Sequence, residues 1–179
     1  METDQELLKS NKTHYMNRIF RISAVIILFS MSCTKKLEDP GATATVAMSN
    51  EWWVTLKIGT DDLLGTHVLF GTYNTSQNVA DSLWLDDLNS IGNGIDFKSK
   101  VKADPKNMTF SSDSTQNEYF DNRIHVANGK IIPNGGISKS GLVTDSIYME
   151  VTFGNDPDPA DIFIISGTAR TRWAQDDYN

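Results

Sequence analysis

From about residue 50 onward, apolar side chains recur at every second position, in short runs broken by turn residues. In the run 52–58, Trp52, Val54, Leu56 and Ile58 share one side while Thr55 and Lys57 share the other. The run 67–74 is also rich in β-forming residues, and in 96–102 Phe97 and Val101 stand opposite Lys98, Lys100 and Lys102. Met108 with Phe110, and Ile124 with Val126, mark two shorter stretches. From Asp145, residues Ile147, Met149, Val151 and Phe153 face one way and Ser146, Tyr148, Glu150 and Thr152 the other. A last run, 162–170, is apolar at its start and polar at its end. Successive side chains on a strand point to opposite faces, so this spacing predicts half-buried strands. Turn signals separate them: Gly92-Asn93-Gly94, residues 104–107, Asn128-Gly129, Asn134-Gly135-Gly136 and residues 155–159. No segment after residue 33 carries a convincing helical stripe. Eight or nine short strands joined by hairpins imply an all-β antiparallel meander, most economically closed into a barrel, with a sandwich as the alternative.

Two of the runs echo each other. Asp81-Ser-Leu-Trp-Leu-Asp86 and Asp145-Ser-Ile-Tyr-Met-Glu150 share the order Asp, Ser, aliphatic, aromatic, aliphatic, acid. Alternation puts the aliphatics on one face and lines up serine, aromatic and acid on the other. Any two strands with a solvated outer face could converge on the same order.

The N-terminal region reads differently. The apolar run 22–32 ends at Cys33, the sole cysteine of the chain, and Arg18 and Arg21 stand on its N-terminal side. The run is too short for a membrane-spanning helix but suits the apolar stretch of a signal peptide. Small residues at Ser30 and Ser32 before the cysteine match a bacterial lipobox, so cleavage before Cys33 and its acylation are expected. Glu2, Asp4 and Glu6 are foreign to a signal peptide, which makes Met16 the better start. The expected organisation is a signal region over 1–32, a lipidated tether over 33–49 and one β-barrel domain over 50–175. The leader takes four of the sixteen basic and three of the twenty-three acidic residues, leaving the mature part at −8. That charge, with no basic cluster, argues against a nucleic-acid partner. Acyl chains would hold the domain to the membrane. Thr34, rather than an aspartate, after the cysteine points to the outer membrane.

Taken in order, Glu51-Trp-Trp-Val-Thr55, Phe70-Gly-Thr-Tyr-Asn-Thr75, Asp81-Ser-Leu-Trp-Leu-Asp-Asp87, residues 96–102, Thr144-Asp-Ser-Ile-Tyr-Met-Glu150 and Ser166-Gly-Thr-Ala-Arg-Thr171 resemble the lipid-binding putative hydrolase family of Bacteroides-type lipoproteins. The resemblance implies a calycin-like (lipocalin-like) barrel. The chain departs from the family at its end, where Gly-x-Arg-Arg-Thr-Gly-Phe is replaced by Gly167-Thr-Ala-Arg-Thr-Arg-Trp173. Barrels of this kind often close with a tryptophan near the first strand covered by an arginine from the last. Trp52 or Trp53 with Arg170 or Arg172 would supply the contact, and Trp52 with Arg170 is the pair expected.

No catalytic set emerges from the residues. Gly-x-Ser-x-Gly is absent. Ser99 and Lys102 fit Ser-x-x-Lys, but on an alternating strand whose lysines read as a solvated face. His67 and His125 show no metal spacing, and Cys33 is committed to acylation. The carboxylate pairs Asp61-Asp62, Asp86-Asp87 and Asp176-Asp177 are sequence neighbours, which an extended strand points apart. The acidic loop 156–161 offers oxygens but reads as a solvated turn. No cofactor or metal is implied. The leading expectation is therefore an envelope lipoprotein whose barrel takes up a lipid or other hydrophobic small molecule on Val54, Leu56, Phe70, Phe97, Val101, Met149, Val151 and Phe153. The same residues would equally make a filled barrel. That alternative is an interaction module docking a partner or glycan through exposed aromatics such as Trp84 and Tyr148. A weak hydrolase is a further alternative, suggested by the family name.

Overall fold

Alternation along the chain becomes alternation across the wall of a closed sheet. The computed structural model describes residues 41–92, 94–154 and 161–178. The leader, Cys33 and most of the acidic loop 156–161 lie outside the described residues. The barrel belongs to a unit that begins at Ala42.

The strands run in chain order: β1 (Asn50–Ile58), β2 (Asp61–Asp62), β3 (Val68–Asn74), β4 (Ser82–Asp86), β5 (Lys98–Asp104), β6 (Thr109–Gln116), β7 (Arg123–Ile137), β8 (Val143–Phe153) and β9 (Phe163–Ala169). Every pairing is antiparallel, and each strand after β3 pairs with its predecessor. β3 and β9 both pair with β1, with Trp52 opposite Phe70 on one side and Ala169 on the other. Eight strands thus close into a barrel, and β2 is a two-residue stub on the end of β1. Closure removes every long free edge, which an open meander of this length would expose to aggregation. Helix is confined, among the described residues, to two single 3₁₀ turns, Val46–Met48 and Ala174–Asp176.

Two of the expected turns are not turns. Asn128-Gly129 and Asn134-Gly135-Gly136 lie inside β7, which runs on for 15 residues. The type I′ hairpin that Asn-Gly favours needs positive φ at two consecutive residues. Here only Asn128 (53°) and Asn134 (54°) take it, and the glycines beside them do not. Residues inserted in one strand of a pair make a bulge, and the register slips at both places: against two-residue steps on β8, Ala127 to Lys130 carries one extra residue and Ile132 to Gly136 carries two. The bulges bend this long strand around the barrel. Gly129 is required because a Cβ there would run into the carbonyl and ring of Phe110.

The domain also begins earlier than expected. Residues 42–49, read from sequence as tether, belong to the barrel unit. Thr45 and Met48 are fully buried, and Met48 joins the core. Val46 and Met48 are the only large apolar residues of 42–49, too few to show a period, so nothing local announced that Met48 would be buried and Val46 exposed.

Candidate functional site

The eight residues expected to line a ligand pocket all face the interior, and each is buried. The period-two rule therefore placed them on the correct face. They belong to a single contiguous cluster with Trp52, Leu83, Leu85, Ile124, Ile147 and Ile165. Phe70 meets Phe97 at a ring-centroid distance of 5.8 Å, Phe97 meets Phe153 at 6.1 Å, and Phe153 meets Phe163 at 5.4 Å. These are tilted and edge-on contacts of the kind aromatic quadrupoles favour. Met149, Val151, Phe70 and Phe97 are 0% exposed. In this conformation their surface is covered by neighbouring side chains. Phe163, missed as a site residue, completes the aromatic chain. It lies at the start of a run that is apolar at consecutive positions, where alternation gives no signal.

The two ends of the barrel differ. One end, the sealed end, is crossed by the Val46–Met48 turn. Thr72 Oγ1 donates to the carbonyl of Met48 (2.6 Å) and accepts from Trp52 Nε1 (2.9 Å) and from the Asn50 amide (3.1 Å). Every polar atom of this buried knot is thus spent, which burial of polar groups requires. Outside the wall, Arg170 lies over the ring of Trp53 with its guanidinium 5.8 Å from the centroid. It donates to both carboxylate oxygens of Asp177 (2.8 and 2.7 Å) and to Glu51 (3.0 Å). The expected pair of Trp52 with Arg170 is thereby corrected to Trp53 with Arg170. Neighbours on β1 point to opposite faces, so Trp52 seals the inside while Trp53 meets the arginine outside. Arg172 is largely exposed and reaches only toward Glu51, at 4.0 Å.

The opposite, loop end carries the connections 59–67, 87–97 and 117–122. There Phe153 and Phe163 are the most exposed of the interior aromatics, at 9% and 7%. Ile58, Leu64, Val68 and Ile95 are partly buried against the same cluster. The interior apolar surface therefore reaches the outside at this end.

Two acidic clusters border the loop 87–97. Asp86 accepts from Tyr73 (2.5 Å) and Tyr119 (2.6 Å) and pairs with Lys98 (3.5 Å). Burial pushes its carboxyl up, but the two phenols, the Leu88 amide and Lys98 outweigh that and hold it below the usual carboxylate range. Burial, then the bond to and the charge of Asp86, raise Tyr119. Asp87 points the other way, as expected for a neighbour. It accepts from the amides of Asn89, Ile91 and Phe97, and it hydrogen-bonds Asp96, which in turn accepts from the Gly92 amide (2.6 Å). Burial, then the bond to and the charge of Asp96, push Asp87 up to about 7. A carboxyl pair sharing a proton can serve general acid–base chemistry. Both partners are buried, at 0% and 8% exposure, and bind backbone amides of their own loop. What the arrangement does is tie the loop. The partner of Asp87 proved to be nine residues away, a juxtaposition that only folding creates.

The remaining sequence candidates stay apart. Ser99 faces inward and donates to the Gln116 carbonyl (2.8 Å), while Lys102 is exposed on the other face. His67 stacks on Tyr178 at 4.0 Å, and burial lowers its pKa against the opposing pull of Asp62. His125 lies exposed on β7. No group of three His, Cys, Asp or Glu able to hold a metal occurs among the described residues.

The echoed strands share their local design. In both, the aliphatics are buried, the aromatic lies under lysine and the acid accepts from tyrosine. Trp84 has Lys98 and Lys100 over its ring at 5.5 and 5.8 Å, and Tyr148 has Lys130 at 5.2 Å and donates to Glu150 at 2.8 Å. β4 and β8 lie on opposite sides of the eight-strand ring, so Trp84 and Tyr148 belong to separate surfaces. Beside Tyr148 the outer wall is hollowed over about 720 Å³, with Thr55, Ser146, Ser166 and Thr168 among its hydroxyl-bearing lining.

The chain matches the family described as lipid-binding putative hydrolase over residues 37–174, and belongs to it. A search of curated proteins returned no match.

Proposed function

We propose that this chain is an envelope lipoprotein whose barrel takes up a lipid or other hydrophobic small molecule at the loop end. The observation that carries the reading is the continuous apolar surface running from the interior to that end through Phe153 and Phe163, in a member of a lipid-binding family. Apolar ligands are held chiefly by the area they remove from water, and a sheet-lined interior offers such area with few polar penalties. Entry requires Phe153 and Phe163 to part, because the interior beyond them is closed in the resting conformation. Anchoring is assigned to acylated Cys33, on the outer membrane.

Titration of the purified full chain with an environment-sensitive fatty-acid probe tests the pocket. One saturable site is expected, with tighter or faster uptake after Phe163→Ala. Absence of uptake in both proteins would sink it. Replacing Cys33 by Ser tests the anchor separately: release from the membrane fraction and loss of fatty-acid labelling are expected, and persistent labelling would contradict it.

A second reading has its own support. The complete burial of Met149, Val151 and Phe97 favours a permanently filled barrel that acts through its outer wall, where the hydroxyl-lined hollow beside Tyr148 could receive a glycan or a partner. A parent protein that takes up no probe but melts sharply would favour it.

A further inference from the structure

The hairpin joining β7 and β8 projects apolar side chains that nothing in the barrel covers. Ile137 and Val143 are direct cross-strand partners, exposed at 68% and 66%, and Leu142 beside them is exposed at 47%. The hairpin tip is rigid: the Ser138 amide donates to the Leu142 carbonyl (2.8 Å) and the Gly141 amide to the Ser138 carbonyl (2.9 Å). It is also tied to the C-terminal segment, because the Ser140 amide donates to Asp176 (2.6 Å) and Asp176 accepts from Thr171 (2.6 Å). That segment carries Trp173, exposed at 63%, beside the largely exposed Arg172. Lys139 sits on the hairpin tip itself and reaches the Asp177 carbonyl (3.2 Å). An ordered patch of Ile, Leu, Val and Trp edged by Lys and Arg is thus held at the sealed end.

We propose that this patch is a bilayer-docking surface, seating the sealed end of the barrel in the headgroup region of a phospholipid membrane. The composition fits that medium: tryptophan prefers the membrane–water interface, aliphatics enter the acyl boundary, and lysine and arginine meet lipid phosphates. The path of the chain fits too. Its first described residues lie at the same end, where the Ala44 amide donates to Asn78 in the β3–β4 turn (2.8 Å) and Val46, exposed at 55%, sits on the outer side of the Val46–Met48 turn. The inference rests on the anchored reading above. Residues 34–41 then separate acylated Cys33 from the barrel unit, a reach of at most about 30 Å, so the sealed end is the end kept near the membrane. The loop end, with its apolar mouth, would face away.

The test uses the full chain reconstituted into phosphatidylethanolamine–phosphatidylglycerol vesicles whose acyl chains are brominated. Tryptophan emission should fall relative to unbrominated vesicles, and Trp173→Phe should remove most of the quenchable part. Ile137→Thr combined with Val143→Asp changes only exposed side chains and sets no like charges opposite each other. It should leave the melting temperature near the parent's and abolish quenching. Unquenched Trp173 in a chain that floats with the vesicles overturns the proposal, whether or not Cys33 is acylated. A concentration-dependent dimer abolished by the same two substitutions would give the patch to a second copy of the chain and also overturn it. Acyl labelling separates the two readings: label without quenching removes docking and keeps the anchor, and quenching without label keeps docking and removes the anchor.

Discussion

The sealed and loop ends of the barrel close by different physics. At the sealed end, Thr72, Trp52 and the Met48 carbonyl form a knot in which each buried polar group has a partner, and Arg170 clamps Trp53, Glu51 and Asp177 outside it. Directional contacts of this kind hold one geometry. At the loop end, Phe97, Phe153 and Phe163 meet through edge contacts, with partly buried aliphatics around them. Such contacts use no hydrogen bonds and can be remade around a guest. A barrel that must open somewhere would open where Phe153 and Phe163, side chains without a polar group, close it by packing. The family's association with lipid sits well with that asymmetry.

Breaking the sealed end should give the largest effect. Trp52→Ala removes a fully buried indole and one of the three hydrogen bonds of the Thr72 hydroxyl, so a loss on the order of 3–5 kcal/mol is expected in urea unfolding. A loss below about 1 kcal/mol would mean that the knot does not hold the fold.

Met149, between the two ends, decides whether the middle behaves like the knot or like the mouth. In a filled interior Met149→Gln buries an amide with poor partners and costs on the order of 1–3 kcal/mol. A far milder change, accompanied by weaker uptake of an apolar probe, would show that the interior opens.

The loop end should respond to pH through Asp87. Its folded-state pKa of about 7 lies above the ordinary 3.8, so between those values the folded protein binds more protons than the unfolded chain. That contribution to stability is complete below 3.8 and is lost as the pH rises through about 7. Asp87→Asn keeps the carbonyl acceptor for the loop amides and removes the charge. The variant should gain on the parent progressively from pH 4 to 7, read by thermal melts at each pH. Parallel curves would remove the shared proton between Asp87 and Asp96.

The smallest effect is expected away from both ends. Lys100→Ala deletes an exposed cation over Trp84 and should change stability by less than about 0.5 kcal/mol. A larger loss would mean that the outer wall, and not only the ends, carries structural weight.

The all-β class, the inward set and the outward lysines were legible from alternation alone, because a strand repeats every two residues whatever its neighbours. Alternation could not say that Asn128-Gly129 and Asn134-Gly135-Gly136 bend one strand instead of ending it. That depends on whether one or two consecutive residues adopt positive φ, which the partner strands decide. Alternation did set Trp52 on the apolar face and Trp53 on the other, but that Arg170 lies on the outer side, over Trp53, is known only once β9 closes on β1. The Asp87–Asp96 pair and the burial of Met48 are likewise products of closure, joining residues with no shared period. Local chemistry thus determined which residues would be strand, and which side of each strand would seek the interior. Where the strands bend, which end is knotted, and which apolar residues remain uncovered were decided by the tertiary structure, because they depend on contacts between segments far apart in the chain.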